Sequence, residues 1–559
     1  MSAKRPEIVI DGFPRRRPRW VELATSADHK DIGRILIGGA LGFLFIALIE
    51  LLLMRLQLAI PENTFLSSQT FNRLLSLYGA TAIFLFAIPL VLGLFYYLVP
   101  LQIGSRRTAL PHVGQIGLWL YIAAATVLYS GFLFTPSEAG VNPLAPLSEL
   151  VFLPNNGVDA WAAAAGLATL GFILLAIDLT TTLRRMRAPG MAWRRLPVFA
   201  WAAAIGSWLM LVIGSVMLAA ITMLLIDRNF DGIFFTGDSG GSPLLWQHLS
   251  WIFFTGSYML VLIAAFGALC EIVPTFARRP LEGRSTVIAS LVAIAVIGTL
   301  AWIQSMLTAP IAIGWMYFAM TMALALIVPI GLIVFNLIAT LSAGEVRMRA
   351  PLLFGAGAVS AISIGLSAEI SHSMVAAAWN LKNTTDATAA THFTLVGGAV
   401  FGGFAALHYW FPKMTGRTMG ENMARISFWT MALGTLLAFG PLFLAGGYEG
   451  QVIDAYKFFD GSGVNAYNLI ASIGSFILAI GIVLTLVNAI LSRSAGPKAG
   501  HDPWGGDTLE WFTLSPPDPH NFDVLPDVRS DRPMRDIREA IGHRTSAAAE
   551  PASESQPVA

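Results

Sequence analysis

Residues 33–56 read Gly-Arg-Ile-Leu-Ile-Gly-Gly-Ala-Leu-Gly-Phe-Leu-Phe-Ile-Ala-Leu-Ile-Glu-Leu-Leu-Leu-Met-Arg-Leu, with Arg34, Glu50 and Arg55 the only charges. A helix crossing a bilayer needs ~20 mostly apolar residues, and this run supplies them. About twelve runs of this kind follow one another along the chain. They are separated by short polar joints holding the arginines, prolines and glycines, and the last spans about Asn465 to Leu491. The composition agrees: 55% of the 559 residues are hydrophobic and 12% charged, and mean hydropathy is +0.66. An ordinary soluble domain carries ~25% charge, so no room is left for a large soluble domain. The expected architecture is all-α and integral to the membrane. Residues 1–32 form a basic tail, 33–492 one helical membrane domain, and 493–559 a second tail whose last twenty or so residues read as disordered.

Charge placement gives an orientation, because Lys and Arg stay on the cytoplasmic side during insertion. Basic joints alternate with poor ones. The basic set comprises the N-terminal tail (Lys4, Arg5, Arg15, Arg16, Arg17, Arg19), Arg106–Arg107, 184–195, Arg278–Arg279 with Arg284, Arg347 with Arg349, Lys413 with Arg417 and Arg425, and the tail from Arg493. The other joints hold scattered positives such as Arg228, Lys382 and Lys457. Both ends are therefore expected in the cytoplasm, as an even span count requires. No apolar core followed by a small-residue cleavage site precedes Gly33, so a removable signal is not expected. The net charge of +1 gives no reason to expect nucleic acid as a partner; the lipid bilayer is one. The single cysteine, Cys270, excludes an internal disulfide and a cysteine-based metal cluster.

Several motifs are more specific. Asp28-His29-Lys30-Asp31-Ile32-Gly33 opens the first span; Met54-Arg55-Leu56, Thr70-Phe71-Asn72 and Tyr97-Leu98-Val99-Pro100-Leu101 follow. Further on come 187–191, 221–225, 227–230, Trp246-Gln247-His248-Leu249 and 271–276. Gly397-Gly398-Ala399-Val400-Phe401 and 409–417 (Tyr-Trp-Phe-Pro-Lys-Met-Thr-Gly-Arg) stand near the tenth span, and a proline-rich strap runs over 502–522. In order and spacing these resemble bacterial cytochrome c oxidase subunit I, of the haem-copper oxidase superfamily. The resemblance implies twelve helices in three arcs around two haems and a copper, reduction of oxygen to water with proton pumping, a bacterial respiratory chain in the inner (plasma) membrane, and subunit II- and III-like partners.

Function resides in the site, so each position the family uses has to be inspected. Low-spin haem iron takes two strong axial donors. One family histidine lies eleven residues before a proline on the second helix, and from Pro89 that position is Tyr78, a poor iron ligand when neutral. The family's His-Phe-His on the tenth helix, registered on Gly398-Ala399-Val400-Phe401, places the high-spin ligand at Ala390 and the low-spin ligand at His392. His392 alone of the family ligands survives. Copper needs converging neutral imidazoles. From Trp251 the sixth-helix copper ligand, proton-relay glutamate and cross-linked tyrosine become Thr255, Ser257 and Met259, with Tyr258 one position off and expected to face elsewhere. The seventh-helix histidine pair becomes Gln304–Ser305, so no copper is expected. His248 matches a family residue that is no ligand and reads as a structural hydrogen-bonder. Of the proton routes, the acidic entrance becomes Arg107 and the lysine becomes Ile333; the outer arginine pair becomes Gly450–Gln451.

Ionisable residues inside a span are costly and so are functional candidates. Arg55 matches a family arginine near the low-spin haem and otherwise snorkels to the membrane face. Asp178 is expected to pair with Arg184–Arg185. Glu369 and His372, at i and i+3, share a helix face and are expected to hydrogen-bond near the outer surface. Three readings follow. The first is a redox-degenerate subunit I-like paralogue without catalytic or metal-binding residues; the second is a single-haem electron-transfer or sensor protein using His392, with Tyr78 and Arg55 in the pocket; the third is an active proton-pumping terminal oxidase.

Overall fold

The computed structural model describes residue 21 and residues 25–131, 135–237 and 240–549, with side chains to residue 541. The basic residues of 1–20 and the last ten residues lie outside these. Among the described residues twelve helices are long and apolar enough to cross a membrane: α1 His29–Gln57, α2 Ser68–Gln102, α3 Pro111–Ser130, α4 Gly157–Arg185, α5 Val198–Asn229, α6 Pro243–Ala277, α7 Arg284–Met306, α8 Ile313–Ser342, α9 Ala350–His372, α10 Thr385–Thr415, α11 Glu421–Gly447 and α12 Asn465–Ala495. No strand forms among the described residues; two isolated bridges join loops.

Neighbours in sequence pack as neighbours in space, α1 on α2, α3 on α4, α4 on α5, α5 on α6 and α11 on α12, while α12 returns to α1. Three helices, α2, α6 and α10, are the most deeply buried of the twelve. Hydrocarbon offers no hydrogen bonds, so a sunken helix must be satisfied from within the bundle. Two of these helices widen into π-helical turns, at Thr81–Ala87 in α2 and Val396–Gly402 in α10. Such turns recur where a functional side chain is re-aimed. Here one begins three residues after Tyr78 and the other four residues after His392.

On the basic face the tail is tied down. Asp28 caps α1 by accepting from the Lys30 backbone N–H. The Lys30 ammonium reaches Asp28 at 2.9 Å, Asn521 Oδ1 at 2.8 Å and the Pro519 carbonyl at 3.0 Å. Burial raises the Asp28 carboxyl, but the neighbouring His29 and the charge and N–H of Lys30 outweigh it and hold it below its ordinary value. Asn521 Nδ2 in turn reaches His29 Nε2 and the Ser105 carbonyl, both at 2.8 Å. The strap over 502–522 thus lies on the helix ends. Pro533–Ala549 is a helix, α13; it takes in the described part of the stretch expected to be disordered, and 550–559 lies outside the described residues. Arg532 and Arg538 bind Asp507 at 2.5 and 3.0 Å, at and just beyond the α13 N-terminus.

Close approach of α11 and α12 depends on glycine. A Cβ on Gly434 would overlap the Leu478 backbone, and one on Gly474 the backbone of Leu437 and Ala438, whereas one on Gly331 meets nothing within 4 Å. Overpacking typically costs about 1–3 kcal/mol. Gly434→Leu is therefore expected to lower the thermal midpoint in detergent by several degrees, with Gly331→Leu close to wild type. Equal midpoints for the two variants would contradict this packing.

Candidate functional site

Tyr78 on α2 and His392 on α10 meet directly. The Tyr78 hydroxyl lies 2.8 Å from His392 Nε2, and the two rings are near parallel, at 5°. His392 Nδ1 sits 2.7 Å from the Thr388 carbonyl, which only accepts, so Nδ1 carries the proton and the phenol donates to Nε2. Phe439 of α11 stacks on the imidazole at 4.7 Å. Every polar atom of the imidazole is occupied.

Arg55 of α1 completes this group, within electrostatic reach of His392. It does not snorkel. Its side chain is buried, and one terminal nitrogen donates to the carbonyl and Oδ1 of Asn468 at 3.2 Å, while Nε has no partner. Asn468 Nδ2 donates to Gln451 Oε1 at 2.9 Å. Gln451, at a position where the resemblance implies an arginine, is therefore joined to Arg55 through an amide. Glu50, also on α1, accepts from Tyr129 at 3.0 Å; Tyr129 also contacts Thr81 at 2.7 Å, at the start of the π-helical turn.

Towards the face opposite the tail lies a second cluster. Gln304 Nε2 donates to Glu369 Oε2 at 3.1 Å and to its carbonyl at 3.2 Å. The expected Glu369–His372 hydrogen bond does not form, since those atoms are 3.7 Å apart. His372 Nε2 instead meets Asp386 Oδ1 at 2.6 Å. Asp386 stands in the first turn of α10, where a helix N-terminus favours a carboxylate. Lys382 precedes α10 and its buried Nζ has no hydrogen-bond partner. Burial pushes this ammonium down to about 7, against the upward pull of Glu369.

Tyr258 is half-buried, and its phenol lies within electrostatic reach of both Tyr78 and Glu369. One other expectation is overturned. Asp178 does not pair with the arginines. Its carboxylate accepts from the Tyr96 hydroxyl, from the Leu110 backbone N–H at 2.7 Å and from Thr182 at 3.3 Å, tying α4 to the start of α3. The polar lengths of α2 and of the joint before α3 offered Asp178 closer partners than a helix-end guanidinium. His248 accepts from Trp302 Nε1 at 3.2 Å.

The copper positions hold no imidazole. Ser257 donates to the Phe253 carbonyl of its own helix at 2.7 Å, the Met259 thioether packs over Gly298, and Gln304 is engaged with Glu369. Among the described residues no three His, Cys, Asp or Glu side chains converge as a metal site. Ile333 is fully buried and Arg107 is exposed.

Twelve spans packed around a sunken α2, α6 and α10 define a polytopic helical membrane protein. The chain belongs to the family described as Cytochrome C and Quinol oxidase polypeptide I, whose model matches residues 31–477. It is 34% identical over 552 residues to cytochrome c oxidase subunit 1 of Bacillus subtilis, covering 97% of this chain and 88% of that one. It is 31% identical to quinol oxidase subunit 1 of the same organism, covering 95% and 82%. It is 34% identical to heme-copper oxidase subunit I+III of Aeropyrum pernix, covering 95% and 64%. In fold it is similar to a heme-copper terminal oxidase dimer solved by cryo-EM, with a TM-score of 0.71 at 14% identity, covering 93% of this chain and 99% of that one. The family uses haem and usually works with subunit II and III partners in a membrane.

That family's haem sets a fit test. Metal–nitrogen bonds run about 2.0–2.1 Å for zinc, so donors on opposite sides of one metal stand roughly 4 Å apart. Tyr78 and His392 at 2.8 Å leave no such gap, and the pair does not fit a bis-axial iron. Two small cavities, each of about 10 Å³, lie between α2, α3 and α4 around Leu128 and Trp161. Each has room for about one water molecule, and neither borders His392.

Removing the Tyr78 hydroxyl leaves a half-buried imidazole nitrogen without its donor, which costs about 1 kcal/mol. Tyr78→Phe is expected to lower the thermal midpoint, and Tyr448→Phe, at an exposed residue, to leave it unchanged. A Tyr78→Phe variant as stable as wild type would contradict the hydrogen bond.

Proposed function

We propose that this subunit I-like membrane protein is redox-degenerate: it keeps the oxidase scaffold in the bacterial plasma membrane and does not reduce oxygen. The observation that carries this reading is the direct Tyr78–His392 hydrogen bond, which joins the two positions where the family resemblance implies axial haem ligands. The chemistry of the remaining positions supports it. Hydroxyl, thioether and amide groups at Thr255, Ser257, Met259, Gln304 and Ser305 are poor substitutes for the imidazoles that copper cycling requires. Arg107 would repel protons where an acid would collect them, and Ile333 breaks the second route.

In this reading residues 33–492 are the membrane domain, both termini are cytoplasmic, and the protein serves as an assembly or docking subunit for subunit II- or III-like membrane partners. The arginines on the tail-bearing face support the orientation.

One observation favours a second reading, a single-haem electron-transfer or sensor protein. The Arg55 guanidinium is buried beside His392 with Nε unpartnered, and a buried cation normally has an anionic or hydrogen-bonding companion. The two readings separate in one experiment on the protein purified from its native membrane, with haem and copper assays and a reduced-minus-oxidised spectrum. The degenerate reading expects neither cofactor in stoichiometric amount. One haem per chain, lost on His392→Ala, would select the second reading, and two haems with copper would overturn both.

A further inference from the structure

The strap carries a buried acid that neither reading uses. Glu510 lies in a short 3₁₀ turn, Leu509–Phe512, wedged against α2 and α10, and is fully buried. Its Oε1 accepts from Trp410 Nε1 at 3.0 Å and from Gln102 Nε2 at 3.2 Å. The other halves of two of these groups are orphaned: Glu510 Oε2 and Gln102 Oε1 are both buried with no hydrogen-bond partner. Both are acceptors, so neither can satisfy the other as an anion and an amide.

No cation closes the account. Among the described residues Glu510 has no ion pair. Lys413 of α10 is within electrostatic reach, but its ammonium is spent on the carbonyls of Thr513 and Leu514 at 2.9 and 3.2 Å and lies over the Trp511 ring. Glu271 of α6 is also within reach, with its Oε1 on the Phe199 backbone N–H at 3.2 Å. Tyr409 of α10 bonds Thr275 at 3.0 Å. The Thr508 hydroxyl faces the carboxyl without closing a hydrogen bond. Glu271 is itself reached by the Arg284 guanidinium and Lys413 by the Asp502 carboxylate, so the groups nearest Glu510 are a second carboxyl and one engaged ammonium, and like charges so placed do not both ionise readily.

We propose that Glu510 is a neutral carboxylic acid whose Oε2–H donates to Gln102 Oε1, making the strap a proton-loaded clasp on the ends of α2 and α10. One proton satisfies both orphaned oxygens and turns the Gln102–Glu510 contact into a two-armed acid–amide pair. Burial pushes the Glu510 carboxyl above its ordinary range, against the hydrogen bonds from Trp410 and Gln102 that pull it down. The linkage has a definite sign. A carboxyl raised in the folded state stabilises docking fully below its ordinary value, and loses that contribution as pH climbs to the raised value. The strap is thus held in acid and loosened as pH rises.

Glu510→Gln tests this, because a carboxamide can keep both arms of the pair without a titrating proton. In the full-length protein in detergent, the infrared absorption of buried protonated carboxylic acids at neutral pH is expected to lose one component in Glu510→Gln relative to wild type. Limited proteolysis within 498–532 is expected to accelerate severalfold with rising pH in wild type and to stay flat in Glu510→Gln. A wild-type band unchanged in the variant, or cleavage with the same pH profile in both, would overturn the clasp. Glu510→Ala, which removes both arms, is expected to free the strap at every pH. Protection of the strap in that variant equal to Glu510→Gln would likewise count against it.

Discussion

Hydrocarbon supplies no hydrogen bonds, so every polar side chain on the sunken helices must find its partner inside the bundle. That constraint organises α2, α6 and α10. Tyr78 and His392 complete each other across the centre, Glu50 is answered by Tyr129, Gln304 by Glu369, and His372 by Asp386. Substitution of one member of a buried polar pair is expensive when it strands the other. Tyr78 and Gln304, at positions where the family resemblance implies metal ligands, each take part in such a pair.

Much of the fold was legible in the sequence because apolar runs and basic joints are local signals. The run over 33–56 and its successors mark the twelve spans, and Asp28-His29-Lys30 with the strap marks the tied face. The partnerships were not legible in the same way. Tyr78 and His392 are 314 residues apart; each could be placed by register, but no local pattern announces that they touch. Asp386 gave no signal at all, since an acid in a helix's first turn needs no further explanation. Asp178 was assigned the nearest charge in sequence, while in space the Leu110 N–H and the Tyr96 hydroxyl were nearer.

The same reasoning separates scaffold from site. Family membership rests on the match over residues 31–477 and on relatives 34% identical across nearly the whole chain. The proposed reading of the chain as a non-reducing subunit rests instead on side chains at the positions where the family resemblance implies metal ligands and proton-route groups.

The most direct measurement is a high-resolution cryo-EM map of the protein isolated from its own membrane, read between α2 and α10. The account predicts continuous hydrogen-bond contact between the Tyr78 hydroxyl and His392 Nε2, near 2.8 Å, with no metal density between them. A macrocycle with a central metal separating the two side chains would contradict it.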